Sequence, residues 1–143
     1  MKIVSPGTTE EFARYYELRW QVLRAPWSQP HGSERDELEA DAYHVMASEA
    51  DYGAVAVGRL HRLAEGEAQI RYMAVAEHRR GMGLGSRILV ALEQRALDMG
   101  LRRIVLDSRE SAVGFYERHG YGIIGLGTTL FGSIRHFRMA KDL

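Results

Sequence analysis

The sequence predicts a mixed α/β fold, with antiparallel hairpins first and then a strand, helix, strand, helix alternation, and three observations carry that prediction. Apolar and β-branched residues cluster from Tyr43 to Ala47 and from Ala54 to Leu63, around an Asp51-Tyr52-Gly53 turn signal. A nearly all-apolar run, Tyr72 to Ala76, passes through a glycine-rich turn into a strongly amphipathic segment, Gly83 to Met99. Short apolar runs then alternate with helical patterns to the last residues. At 143 residues, 45% hydrophobic and 27% charged, with a mean hydropathy of -0.29, the chain has the size and composition of one globular domain, 1–143.

The elements follow in order. Ile3 and Val4 read as a short strand. Thr8-Thr9-Glu10-Glu11 has the Thr-x-x-Glu form of a capping box, in which side chains at both ends satisfy amides without helical partners, so a helix starts there. Phe12, Tyr15, Tyr16, Trp20 and Leu23 recur at helical spacing. The pattern stops before Ala25-Pro26, because a residue preceding proline is pushed out of helical dihedrals. Ala25 to Ser33, with two prolines, a glycine, Trp27 and His31, reads as a loop, and Ser33 to Glu39 as a short acidic helix. The Tyr43–Ala47 and Ala54–Leu63 runs form a hairpin, and Glu65-Gly66-Glu67 turns the chain again. Ala68 to Ala76 follows as a strand whose apolar tail marks it as central and buried on both faces. Leu84, Ile88, Leu92, Ala96 and Met99 share one face of the next helix, which Gly100 closes. Arg103 to Asp107 is a strand, Ser111 to His119 a helix ended by Gly120, and Gly122 to Leu126 and Ile134 to Met139 are the last two strands.

Composition excludes several chemistries. Nineteen Lys plus Arg balance nineteen Asp plus Glu, so no global cationic field gathers nucleic acid or anionic lipid. Lys2 and Lys141 are the only lysines, and nearly all positive charge is arginine, the side chain suited to bidentate phosphate or carboxylate contacts. Without cysteine there is no disulfide framework, thiolate zinc site or cysteine nucleophile. The six histidines show no metal-ligand spacing, and no metal is expected. The N-terminus lacks the apolar run of a signal peptide and no stretch reaches the length of a membrane helix, so a cytoplasmic location away from membranes is expected.

The most informative segment runs from Ala74 to Ser86, Ala-Val-Ala-Glu-His-Arg-Arg-Gly-Met-Gly-Leu-Gly-Ser. A strand passing through a basic, glycine-rich turn into a helix makes an anion cradle: glycines let the backbone approach a ligand, and the first helical amides and the helix dipole face the same point. Arg79 and Arg80 add formal charge. The Arg-x-x-Gly-x-Gly spacing from Arg80 to Gly85 is neither a P-loop nor a dinucleotide fingerprint, which favours a phosphate-bearing cofactor other than a simple nucleoside triphosphate over a glycine-eased turn with solvated arginines. The second segment is Ala112 to Tyr121, a helix with an aromatic pair ending in glycine. Phe115 and Tyr121 read as core; Tyr116 is core or a proton donor.

Together these segments resemble the GNAT superfamily of acetyl-CoA-dependent N-acetyltransferases, over about residues 43 to 140. The Arg80 to Gly85 run looks like the family's pyrophosphate-binding motif A, Tyr72 to Ala76 like the strand before it, and Ala112 to Tyr121 like its motif B helix. Arg109 to Tyr116 and the His136-x-x-Met139 ending look closest to ElaA-like members. The resemblance implies a mostly antiparallel central sheet of about six to seven strands flanked by about four helices. It implies acetyl-CoA as co-substrate, with Arg80, Gly81, Met82, Gly83, Leu84, Gly85 and Ser86 at the pyrophosphate and Met73, Ala74 and Val75 along the pantetheine arm. Arg109, Ala112, Phe115 and Tyr116 complete the implied cofactor site. Tyr116 would protonate the departing thiolate after a primary amine, on a small molecule or a peptide, attacks the acetyl carbonyl, and the Val75 amide would polarise that carbonyl.

Two positions depart from the family pattern. Arg109 stands where Asn is common, and is expected to reach a cofactor phosphate instead. The strand stretch Gln69-Ile70-Arg71-Tyr72 lacks the carboxylate that many relatives use as base, leaving ordered water or a distal group, Glu67, His44, His61 or His136. The loop Arg24 to Ser33 is expected to border the acceptor, with Arg24, Trp27 and His31 as candidate contacts. The acidic run Glu34, Asp36, Glu37, Glu39 and Asp41 either suits a cationic amine or is a solvated helix face. A homodimer is expected, as in many relatives, with the aromatic-rich first helix or Gly127 to Gly132 as the interface. A non-catalytic module that senses acyl-CoA or binds a partner is the alternative from another class. Nucleic-acid binding through Arg79, Arg80, Arg102 and Arg103 is disfavoured by zero net charge.

Overall fold

The computed structural model describes residues 1–143. Its elements are β1 (Lys2–Val4), α1 (Thr9–Leu23), β2 (Tyr43–Glu49), β3 (Gly53–Arg62), β4 (Glu67–Val75), α2 (Leu84–Asp98), β5 (Arg103–Arg109), α3 (Val113–Arg118), β6 (Gly122–Leu130) and β7 (Ile134–Asp142). The strands form one seven-stranded sheet in the order β1-β2-β3-β4-β5-β7-β6, antiparallel throughout except for the parallel β4–β5 pair. The mixed, mostly antiparallel fold is as expected.

The capping box forms: the Glu11 amide donates to Thr8 Oγ1 at 3.0 Å and the Thr8 amide to Glu11 Oε1 at 3.0 Å. The helix it starts lies on one face of the sheet and α2 on the other, so β3 between them is buried from Gly53 to His61. Gly58 makes that sandwich possible. A Cβ there would stand 2.6 Å from Ile88 Cγ2 and 2.9 Å from Leu92 Cδ1, so only glycine lets α2 lie this close.

Three α-helices form, not four. Ser33 to Glu39 is a run of turns, because its carboxylates turn inward and bond to backbone and arginines in place of a helical ladder. Asp36 Oδ1 accepts from the Leu38 amide at 2.9 Å and Glu39 Oε2 from the Asp36 amide at 3.1 Å, contacts that compete with helix formation. The Ser111–His119 helix is also shorter than expected: a 3₁₀ turn, Glu110–Ala112, takes its first residues.

The central strand departs from expectation in a way that matters for the site. β4 is the middle strand, yet Met73 and Val75 are only half-buried, because its pairing with β5 runs from Glu67↔Arg103 to Ile70↔Leu106 and stops. A bulge follows at once. The β3–β4 register shifts between Val57 and Arg59, and Tyr72 takes a left-handed φ of 58°, unusual for an aromatic residue. Arg71 and Tyr72 consequently both lie toward α1, while Met73 and Val75 lie toward α2.

A buried charge network braces the α1 face. Arg59 donates from Nη1 to Asp36 Oδ1 at 2.6 Å and to Glu39 Oε2 at 2.6 Å, and from Nη2 to Asp36 Oδ2 at 3.0 Å. Arg19, fully buried, donates to Glu39 Oε1 at 2.9 Å and to the Tyr15 hydroxyl at 2.8 Å. His44 Nε2 lies 2.8 Å from the Glu39 carbonyl, which only accepts, so Nε2 carries the proton and Nδ1 accepts from Tyr15 Oη at 2.8 Å. Burial would raise the Asp36 carboxyl, but the Arg59 hydrogen bonds, the Leu38 amide and the charges of Arg59 and Arg71 outweigh it and hold it far below the usual carboxylate range.

Because the folded-state value lies below the unfolded one, Asp36 contributes stability that is complete above about pH 4 and is lost as pH falls from there. Asp36→Asn is expected to cost about 3 kcal/mol at neutral pH, since Arg59 keeps only Glu39, and to flatten the acid limb of stability. Urea unfolding at pH 7 and pH 3 checks both, and equal losses at the two values would refute the assignment.

Candidate active site

The glycine turn forms an open arc. Gly81 and Gly83 sit at φ 79° and 77°, a backbone shape that side-chain-bearing residues rarely hold, and the space where their Cβ atoms would stand is empty. From Gly81 through Ser86 no backbone amide donates to an acceptor within the chain. These amides gather at the N-terminus of α2, where the helix dipole adds positive potential, so the arc suits a pyrophosphate. Leu84 is buried and anchors the turn, whereas Met82 projects into solvent. Arg79 does not contribute charge here: its guanidinium is clamped by Glu49, Nε to Oε1 at 3.0 Å and Nη2 to Oε2 at 2.9 Å. Arg80, exposed, is the cation beside the amides.

Next to the arc lies the gap between β4 and β5. The Ala76 amide donates to the Val55 carbonyl at 2.8 Å, so alternate amides of this stretch face β3, and those of Met73 and Val75 face the gap. Ala74, between them, is buried toward the sheet interior. An extended ligand arm can add to this edge as a strand would.

The short helix α3 closes the other side. Phe115 packs on Gly85, where a Cβ would meet its ring at 3.4 Å, and Ser86 Oγ lies 2.9 Å from His119 Nε2. Ala112, half-buried, ends the 3₁₀ turn from which α3 starts. These contacts aim Tyr116 at the gap: its hydroxyl donates to Met73 Sδ at 3.4 Å. Burial alone pushes the phenol above its ordinary range, so it stays protonated as a donor.

The loop expected to border the acceptor assembles on the α1 face. Arg24 is buried and donates from Nε to the Ser33 carbonyl at 2.9 Å and from Nη1 to the Leu23 carbonyl at 2.9 Å. Arg109 does not reach toward the glycine arc as expected. Its Nη2 donates to the same Leu23 carbonyl at 3.4 Å, and its guanidinium lies 4.5 Å from the Trp27 ring centre. Trp27 in turn stacks on Phe131 at 6.1 Å, at the tip of the β6–β7 hairpin. His31 is not part of this group: it stacks on Trp20 at 3.5 Å and lies 3.3 Å from Glu17 on the outer flank of α1. The acidic run is neither a mouth for a cationic amine nor a solvated helix face, because Asp36 and Glu39 are spent on Arg19, Arg59 and Arg71. A cleft of about 390 Å³ separates Leu18 and Val22 of α1 from Ala76 and Arg80, so the helix end and the glycine turn share an opening.

Among the distal groups, Glu67 is engaged by Arg103 at 3.3 Å, both ring nitrogens of His44 are bonded, and His61 Nδ1 faces Arg59 Nη2 at 3.1 Å. His136 differs. Its Nδ1 lies 3.0 Å from the Ile134 carbonyl and must donate to it, which leaves Nε2 as a bare acceptor. His136 pairs with Arg109 across β5 and β7, so both side chains lie on the α1 face of the sheet. Phe131 and His136 thus lie beside Arg24, Trp27 and Arg109, and the Tyr72 ring lies 5.7 Å from the Arg24 guanidinium. Phe131 before Gly132 marks a hairpin tip in the sequence, but nothing local shows that the tip lands on Trp27.

The family described as Acetyltransferase (GNAT) matches residues 12–121. An uncharacterized N-acetyltransferase of Bacillus subtilis, YjcF, is 30% identical over 142 residues, spanning 99% of this chain and 100% of the relative. An aminoglycoside 6'-N-acetyltransferase solved in complex with coenzyme A superposes with a TM-score of 0.81 at 18% identity, covering 99% of this chain and 97% of that one. Escherichia coli ElaA superposes with a TM-score of 0.81 at 17% identity, covering 98% and 97%. At such identities the two solved structures share the fold.

A side chain at Gly83 separates strain from blockage. Gly83→Ala is expected to cost about 1–2 kcal/mol from the left-handed backbone and to keep coenzyme A binding, while Gly83→Trp fills the arc and abolishes it. Calorimetric titration with coenzyme A reads both, and undiminished binding to Gly83→Trp would show that the arc is only a turn.

Proposed function

The chain belongs to the GNAT family of acetyltransferases and is an acyltransferase; from that premise we propose that it carries an acetyl group from acetyl-CoA to a primary amine, with Tyr116 as general acid. The observation that carries this reading is the Tyr116 hydroxyl, held 3.4 Å from a sulfur at the β4–β5 gap. The open amides from Gly81 through Ser86 hold the pyrophosphate, and Met73 and Val75 take the pantetheine arm as an added strand.

In this reading the Val75 amide donates to the acetyl oxygen as it gains charge under attack by the amine nitrogen. Tyr116 gives its proton to the sulfur as the C–N bond forms and the C–S bond breaks. The burial that raises the phenol disfavours a bare thiolate in the same place, so the proton moves as charge develops. His136 Nε2 takes the proton that the amine must lose, the role left open by the missing strand carboxylate. Two copies pairing along β6, the outer strand whose Ile123, Ile124 and Leu126 are exposed, make the expected dimer, which sedimentation of Leu126→Asp tests.

Tyr116→Phe is expected to lower kcat by about 10²-fold or more with acetyl-CoA affinity intact, because only the weak bond to Met73 is lost in the free enzyme. His136→Gln, which keeps a polar side chain but takes no proton, is expected to lower kcat comparably. Thiol release assayed with a panel of amines measures both. Full turnover by either variant removes that residue's role, and binding of acetyl-CoA without transfer to any amine would favour the non-catalytic module.

A further inference from the structure

The arginines on the α1 face fall into two groups. Arg19, Arg59 and Arg71 each have a carboxylate, but Arg24 and Arg109 have none. The carboxylate that acts on Arg24, Glu34, is bound by the Gly32 amide at 2.6 Å and Arg35 Nε at 3.1 Å. Beside Arg109, Asp107 of β5 is held by Arg138, and Glu110 of the following 3₁₀ turn by Arg135. Arg24 and Arg109 nonetheless converge: both donate to the one Leu23 carbonyl, and Arg24 Nη2 and Arg109 Nε and Nη1 donate to nothing in the chain. Two guanidiniums drawn together in a half-buried place without a counter-ion repel each other and face a desolvation cost. Burial and then the charge of Arg24 push Arg109 below its ordinary value, which registers that conflict.

Aromatic rings frame the pair. Arg109 lies 4.5 Å from the centre of Trp27 and Arg24 5.5 Å from that of Phe131, and these rings stack on each other. Planar guanidiniums backed by rings keep their N–H edges free for a carboxylate or phosphate. Resting on the amine-acetylation reading above, we propose that the acceptor carries an anionic group, a carboxylate or a phosphate, which Arg24 and Arg109 hold together beside the Trp27–Phe131 stack. His136 stands beside Arg109 across the β5–β7 ladder, at the roughly 5 Å Cβ spacing of directly opposed residues, so the acceptor is a short molecule with amine and anion a few bonds apart.

The test is a matched set of acceptors with acetyl-CoA at constant ionic strength: 4-aminobutyrate against its amide, 2-aminoethyl phosphate against ethanolamine, and 1,4-diaminobutane. At least one anionic acceptor is expected to exceed its neutral partner about tenfold or more in kcat/KM, and the leading arm identifies carboxylate or phosphate. Arg109→Gln is expected to erase that preference while binding acetyl-CoA as the wild type does, and Arg109→Lys to restore part of it. Preference for the neutral amines or the diamine, an unchanged preference in Arg109→Gln, or loss of acetyl-CoA affinity in that variant overturns the proposal. Calorimetric titration with the acetylated products, 4-acetamidobutyrate and 2-acetamidoethyl phosphate, separates the two readings. Binding of either that is lost in Arg109→Gln, with no transfer to any amine, keeps the anion site and sinks the transfer reading. Transfer to neutral or cationic amines with no such binding does the reverse.

Discussion

The parting of β4 from β5 beyond Ile70 is the constraint on which the rest of the molecule depends. Parallel strands normally continue side by side, and here the left-handed backbone at Tyr72 ends the register. An aromatic residue in that conformation costs about 1–2 kcal/mol, and the surroundings offset it. The Tyr72 ring lies 4.3 Å from the Arg19 guanidinium, 4.6 Å from Arg71, 5.0 Å from Arg59 and 5.7 Å from Arg24. Contacts of this kind contribute about 0.5–2 kcal/mol each when desolvated. With the bulge held, main-chain groups that would have closed a sheet face an open slot, and α2 and α3 have somewhere to direct their amides and their phenol.

Zero net charge conceals a division of labour among the arginines. Inward-facing carboxylates of the 34–41 segment bind Arg19, Arg59 and Arg71 and so pin that segment, α1 and β3 to one another. The buried Nε atoms of Arg19 and Arg59 lack acceptors, so even this network is incompletely satisfied and serves position as much as stability. Glu49 does the same for Arg79 beside the glycine turn. Around the slot, Arg80 at one end and Arg24 with Arg109 at the other have no carboxylate partner. A protein with no net charge thus keeps guanidiniums without carboxylates at both ends of its slot.

Local signals in the sequence are legible and distant ones are not. The Thr8–Glu11 box, the amphipathic stripe of α2 and the hairpin around Asp51-Tyr52-Gly53 are made by neighbours in the chain, and the elements they announce are present. The expected acidic helix is absent because Asp36 and Glu39, besides their local amide bonds, bind guanidiniums on α1, β3 and β4 more than a dozen residues away, which no short-range pattern reports. The place of the glycine turn in the chain was legible for the same reason the hairpin was. Whether Arg109 faces the turn or the acceptor loop depends on where Trp27 folds back, and His31 shows the opposite case, a loop residue captured by Trp20 on the far flank. Tyr72 carries no sequence mark at all: only a register shift reveals it.

The stack of Trp27 on Phe131 gives the protein an optical property. Of its two tryptophans, Trp20 is held against His31 on the outer flank of α1, whereas Trp27 sits between the Arg109 guanidinium and the hairpin tip. A charge arriving at that guanidinium alters the field across the Trp27 indole, while at fixed pH the emission of Trp20 is a steady background. A change in charge beside Arg109 is thus encoded in the native fluorescence of one ring, with no label attached and no reaction under way.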